Sequence, residues 1–472
     1  MVLLAACGTR ASDEQLVAAG SLRTDGGQVA AVPQSGGAPA AANAAAAEPG
    51  ATTLTAVETP AVAGRPAPAV PRTGTPVGAR PAGGAPAAVA GAAVAAADAP
   101  CTAQLAPISL GQVGAFSGFL EPTLGGFRPG LAAWAAEVNA RGGVQCHPIR
   151  LSQRDDGSDP ARTTSAVKSL IQDQKVVAMV GADIPITISA YRAATAAAGV
   201  PTVGGDLTHP DWNRDPLLYP SGNVSLAGNT GAIKAMVQNT GLKKIGLIHC
   251  VEAEICGLLR DGLEEMAAKA GATLVSTQAA SLTQTDYTSQ CQNLKTAGAE
   301  IMFTALDTSG NQRFFKSCAS IGFRPPSATS SIAVGPNTAA DPNIQAASVY
   351  LSSSNPSYVN DSIAPVQAFL NAMKRYAPGA RIDQSAMGGY SAGKLFEAGM
   401  AKVAAKARNG PVTTALIIEG MDSLKNDTIG GFSSVPLTFK PGGPHPTGDC
   451  YFITLINKQG LTDLTKGRPQ CL

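Results

Sequence analysis

Residues 242–277, LKKIGLIHCVEAEICGLLRDGLEEMAAKAGATLVST, decide the fold. Residues 244–249, with IGLI at their centre, read as a strand, 257–270 as a helix and 272–277 as the next strand. Switching from strand to helix and back within one short stretch is the mark of a βαβ unit, which builds a parallel sheet. The rhythm continues with a helix over 286–297, a strand over 300–305 and a helix over 311–321.

Working outward, the same alternation occupies the preceding residues. A strand over 108–113 leads through a Gly-rich loop into a helix with Leu131, Trp134, Ala135 and Val138 on one face, at helical spacing. Gly142 and Gly143 stop that helix, and 149–154 is the next strand. Asp159-Pro160 starts a helix, with Asp as N-cap and Pro at the first helical position. The continuous apolar run 176–180 suits a strand buried on both faces, and 200–203 follows as strand after a helix ending at Gly199. Two successive βαβα runs imply two doubly wound α/β lobes, each with a crevice at the carboxyl ends of its strands. Helices near 363–376 and 391–406, then strands over 435–439 and 451–456, complete the chain.

The first hundred residues are different. Every Trp, Tyr and Phe lies beyond residue 100, and Ile and Lys are absent before it. Stretches such as GGAPAAANAAAAEPG have nothing large to bury, so residues 8–100 are expected to form a disordered, partly extended tether. A net charge of +2 without a long basic run argues against nucleic acid as partner. It argues equally against electrostatic attachment to a lipid surface.

Leu4-Ala5-Ala6-Cys7, followed by Gly8, resembles a bacterial lipobox, in which the cysteine thiol takes a diacylglycerol. Only six residues precede Cys7, too few for a basic region and an apolar core, so 1–7 is read as the end of a truncated signal peptide. Setting Cys7 aside leaves eight cysteines, an even number that suits disulfides in an oxidising compartment. No Cys-x-x-Cys pair exists and only four histidines are present, so zinc spacing is absent. Proximity in sequence suggests Cys101 with Cys146, Cys250 with Cys256, Cys291 with Cys318 and Cys450 with Cys471.

The phrases GAFSG, GLAAWAAEVNARGGVQCHPIRLSQRDDGSDP, VVAMVGA, AGVPTVGGD, LKKIGLI, TDYTSQCQNLKTAGAEIMF and GYSAGKLFEAGMAKV resemble the Leu/Ile/Val-binding family of type I periplasmic solute receptors, from about residue 105 to 456. The resemblance implies two parallel-sheet lobes joined by three crossovers, closing over a small solute that is handed to the permease of an ABC importer. On that reading 104–222 and 356–428 form lobe one, and 223–355 and 440–472 form lobe two. With the lipobox, it implies an extracytoplasmic monomer anchored to the outer face of the cell membrane through Cys7, with no cofactor.

Loops after the strands supply the ligand candidates: Phe116, Ser117, Asp183, Pro185, Asp206, Leu207 and Thr208 in lobe one, and Glu254, Asp307 and Ser331 in lobe two. Backbone N–H groups and hydroxyls suit a carboxylate, whereas carboxylates suit an ammonium. Relatives that bind amino acids place a small hydroxyl residue where this chain has Pro185, and an Ala/Ser-Thr run where it has Asp206-Leu207-Thr208. Their ammonium-binding acid falls near 330–334, where this chain has none; Asp206, Glu254 or Asp307 substitutes. The expected solute is therefore an amino acid, an amide or a small organic acid. Asp155, Asp156 and Asp159 are expected to serve caps and turns rather than calcium.

Gly389-Tyr390-Ser391-Ala392-Gly393 matches the nucleophile elbow of α/β-hydrolases, with Asp422 or Asp427 and then His445 in the same chain order. An elbow needs an apolar strand immediately before it, and ARIDQSAMG is not one. No nucleotide-binding loop, zinc-protease helix or EF-hand accompanies it. Capture rather than catalysis is the expected activity. A ligand sensor or wall-associated module of the same fold, without an importer, is the alternative.

Overall fold

The computed structural model describes residues 101 and 103–472, so the lipobox, Cys7 and the tether lie outside the described residues. The first sheet has the strands β1 (Ile108–Gly114), β2 (Ile149–Asp155), β3 (Ala178–Ala182), β4 (Thr202–Gly205) and β5 (Leu218–Tyr219). They are all parallel, in the order β2-β1-β3-β4-β5. Helices cover both faces, which is why β3 reads AMVGA and is buried throughout. The helix Pro160–Gln172 begins as its sequence dictates: the Asp159 carboxylate accepts from the Arg162 N–H at 2.7 Å and Pro160 occupies the first turn.

The second sheet contains β6 (Lys244–His249), β7 (Thr273–Ala279), β8 (Ile301–Ala305), β9 (Ser327–Ser330) and β10 (Val349–Ser353) in the parallel order β7-β6-β8-β9-β10. Both lobes thus repeat one doubly wound order, whose switch point falls between the first and third strands. Three antiparallel strands extend the second sheet: β11 (Cys450–Asn457) on β10, and β12 (Gly460–Asp463) and β13 (Gln470–Cys471) on β11. The chain passes between lobes three times, after β5, after β10 and before β11.

Two expected elements differ. Residues 435–439 alternate as a strand would, with Val435, Leu437 and Phe439 buried in the core of lobe one. They make only one bridge, Leu437 to Asp427, because Pro436 has no N–H and the facing segment is a turn. The helix expected from 391 starts seven residues earlier, at Gln384, where the Asp383 carboxylate accepts from the Ala386 N–H at 2.8 Å.

That helix, Gln384–Lys402, crosses the helix Phe127–Ala140 at glycines. A Cβ on Gly130 would meet the Ala386 carbonyl oxygen at 2.0 Å, and one on Gly393 would meet the Trp134 ring at 2.1 Å. The glycines of the 389–393 motif therefore serve close contact between helices, Gly389 against the Phe127 backbone and Gly393 against the Trp134 ring. Four disulfides, Cys101–Cys146, Cys250–Cys256, Cys291–Cys318 and Cys450–Cys471, join the pairs that neighbour one another in sequence.

Candidate functional site: the cleft between the lobes

Carboxyl ends of β1, β3 and β4 face those of β6, β8, β9 and β10. The segment after β1 reaches across, and its Leu120 and Leu124 are buried in the lobe-two core beside Phe314 and Val334. Thr123 fixes the crossing: its hydroxyl accepts from the Thr308 N–H at 2.8 Å, and its carbonyl accepts from the Ser385 hydroxyl. The lobes thereby enclose one cleft with two connected chambers that share Ser225, Ser330 and Ile332.

The polar chamber lies against the crossovers and is lined by Asp206, Asn223, Ser331, Asn355 and Gln384 together with serines 352–354. Most of its amides are committed to the fold. Asn355 Nδ2 donates to Ser391 Oγ at 3.0 Å and to the Phe432 carbonyl at 2.8 Å, while Gln384 Nε2 donates to the Pro356 carbonyl at 3.1 Å. Asn223 Nδ2 is the exception, being buried without a hydrogen-bond partner.

The apolar chamber lies in front of β6 and β8 and is lined by Leu120, Leu124, Ile186, Leu259, Phe303 and the Cys250–Cys256 disulfide. Within it Thr304 Oγ1 is buried and unpartnered.

No Lys, Arg or His lines either chamber among the described residues; the charged groups are Asp206 and Asp307. Asp206 holds the ends of β3 and β4 together. Its Oδ2 accepts from the Ile184 N–H at 2.8 Å, and its Oδ1 accepts from the Thr208 N–H at 2.9 Å and the Thr208 hydroxyl at 2.6 Å. Asp307 caps the helix Thr308–Ser320 of lobe two, accepting from Gly310 N–H at 2.9 Å and Ser309 N–H at 3.2 Å. Burial nevertheless raises the Asp307 carboxyl above its ordinary range, opposed by these bonds and by Arg313. Behind the floor, Asp183 is fully buried with both oxygens unpartnered, and burial, followed by Asp206 and Asp156, pushes its carboxyl well upward.

Five of the residues proposed from sequence line the cleft: Asp206 and Ser331 the polar chamber, and Pro185, Thr208 and Asp307 the apolar one. Five do not. Phe116 lies under the Arg128 guanidinium and exposed Ser117 donates to Asp155. Asp183 is sealed behind the floor. Leu207 turns its side chain into the lobe-one core, with a left-handed backbone at φ 56°, and contributes its carbonyl to Ser225. Glu254 stands at the exposed rim with Oε1 3.6 Å from His209 Nε2. Asn223, Ser225, Leu259, Phe303, Gln384 and serines 352–354 were missed; only the serine run at the end of β10 carried a visible signal.

Asp155 and Asp156 accept hydrogen bonds from the Gly157 and Ser158 N–H groups, as turn residues do. Ser391 sits inside a helix, fully buried, with Asn355 as its partner. His445 stacks on Tyr219 at 4.5 Å and its Nε2 contacts the Pro216 carbonyl at 3.0 Å. Nothing joins it to Ser391.

The chain is similar in fold to a benzoate-bound solute-binding protein of an ABC transporter from R. palustris, at 17% identity and TM-score 0.64 over 77% of this chain and 97% of that one. It is similar to the fatty acid ABC transporter substrate-binding protein of Thermomonospora curvata, at 17% identity and TM-score 0.65 over 78% and 92%. A possible leucine/isoleucine/valine-binding protein from Rhodopirellula baltica SH 1 gives 18% identity and TM-score 0.65 over 78% and 98%. No curated protein sequence matches the chain significantly. The periplasmic binding protein family model matches residues 107–460, three-quarters of the sequence and both lobes of the cleft, and the chain belongs to that family.

Proposed function

We propose that the protein is the extracytoplasmic solute receptor of an ABC importer, capturing a small amphipathic solute between its lobes and presenting the closed form to a membrane permease. The observation that carries this reading is the two-chambered cleft, polar at the crossovers and apolar against β6 and β8. A solute with one hydrogen-bonding end and a compact apolar body fills both at once. Lobe closure at the crossovers supplies the state to be recognised, since ligand that contacts both lobes favours the closed arrangement. The fold's relatives include proteins crystallised with benzoate and named for fatty acids, whose solutes have this amphipathic character. The Leu4-Ala5-Ala6-Cys7 sequence supports a lipid anchor at Cys7, and the four disulfides support an oxidising compartment.

Thermal shift against amino acids, amides, aromatic acids, aliphatic acids and sugars tests the reading. A solute at a hundred times its dissociation constant stabilises the folded state by about 2.7 kcal/mol. One amphipathic class is expected to raise the melting temperature, and sugars are expected to leave it unchanged. Silence from every class, after refolding to strip co-purified solute, contradicts solute capture.

A further inference from the structure

We infer that the cleft selects a solute whose head is a carboxamide and whose body is apolar, and that it discriminates against the matching carboxylate. The inference rests on the receptor reading above and names the head group that the polar chamber takes.

The argument begins with donors. A carboxylate entering a protein is held most strongly by a cation, with backbone N–H groups and hydroxyls as further donors. Among the described residues no cationic side chain lines either chamber. The backbone donors after β3, β4 and β8 are already used by the protein's own acids. In lobe one the Ile184 and Thr208 N–H groups and the Thr208 hydroxyl bind Asp206. In lobe two the Ser309 and Gly310 N–H groups bind Asp307. Asp206 is held firmly in place, because Leu207 adopts a left-handed backbone beside it and the Leu207 carbonyl accepts both the N–H and the hydroxyl of Ser225 at 3.0 Å. A second carboxylate would meet these two acids with no cation to offset the repulsion.

Beside its serine hydroxyls, which can donate to or accept from any polar head, the polar chamber offers one charged acceptor and one unpartnered amide donor. Asp206 lines it with carboxylate oxygens, which accept an N–H. Asn223 lines it with an unpartnered, buried Nδ2, which donates to a carbonyl. A carboxamide satisfies both. Of this pair, an ammonium satisfies only Asp206, and a carboxylate only Asn223.

Matched heads on two bodies decide the matter by titration calorimetry on the full chain: benzamide, benzoate and benzylamine, then hexanamide, hexanoate and hexylamine. The amide is expected to bind at least tenfold more tightly than the acid and the amine on the body that fits better. Asp206→Ala, which frees the lobe-one donors, is expected to weaken the amide at least tenfold and to strengthen the acid. The wild-type comparison stands by itself if that variant fails to fold. A carboxylate that binds wild-type protein as well as the amide overturns the inference and leaves solute capture intact, as does a preference for the amine. Silence from all six, together with a silent broad panel, overturns both.

Discussion

The Thr308 N–H of lobe two donates to the Thr123 hydroxyl of lobe one at 2.8 Å, and both groups are buried. The bond joins the first turn of a lobe-two helix to the segment that lobe one extends across the cleft. It forms only where the lobes meet, so it contributes to closure rather than to the folding of either lobe. Removing the hydroxyl leaves a buried N–H without its partner in the closed form.

Thr123→Val is therefore expected to weaken solute binding about fivefold, corresponding to about 1 kcal/mol for one such bond, with a much smaller change in melting temperature. Titration calorimetry alongside thermal melting checks this. Unchanged affinity would show that the bond does not bias closure.

The glycines where the helices Phe127–Ala140 and Gln384–Lys402 cross carry a different expectation. Gly393→Ala puts a methyl 2.1 Å from the Trp134 ring and is expected to destabilise the fold by about 1–3 kcal/mol, the usual range for overpacking. Ser391→Ala removes only the acceptor of Asn355 Nδ2 and is expected to cost about 1 kcal/mol. A fluorophosphonate probe is expected not to label Ser391; labelling would revive the hydrolase alternative.

Stability should carry a signature of Asp183. Burial raises its carboxyl above the value it has in the unfolded chain, so the folded state binds the proton more tightly. The stability this provides is fully present below the unfolded carboxylate value of about 3.9 and is lost as pH rises from there through the raised folded value. Asp183→Asn removes the titration. Its melting temperature relative to wild type is expected to rise between pH 4 and pH 7, by about 2 °C or more. A pH-independent difference would contradict the assignment.

The eight cysteines of the described residues are all paired. Thiol titration of residues 101–472, denatured without reductant, is expected to find no free thiol. Replacing Cys250 and Cys256 together by Ala enlarges the apolar chamber, since both line it. It is expected to weaken solutes with compact apolar bodies more than it lowers the melting temperature.

Much of the fold was legible because a parallel strand buried on both faces leaves an unbroken apolar run, as in β3, and because Asp159-Pro160 is a self-sufficient helix start. Residues 435–439 show the limit of that reading. Their alternating burial is genuine, yet a strand also needs a partner, and the partner is a property of the whole chain. The site was half legible for a related reason. Loops after strands could be placed at the cleft from sequence, but which way a side chain turns within them could not. Leu207 points into the core because its backbone is left-handed, and Asp206 points at Ile184, 22 residues away, because β3 and β4 pair. Asn223 and Gln384 enter the polar chamber from crossover and helix, where hydrophobic periodicity carries no information about the cleft.

The central claim, capture of a solute between the lobes, is tested most directly by comparing calorimetric titrations of wild-type protein and Leu259→Trp. Leu259 lines the apolar chamber, and an indole there occupies the space assigned to the solute body. Wild-type protein is expected to bind one solute per chain, and Leu259→Trp to lose at least a hundredfold in affinity while keeping its melting temperature within a few degrees. Equal binding by the two proteins would place the solute elsewhere and contradict the account.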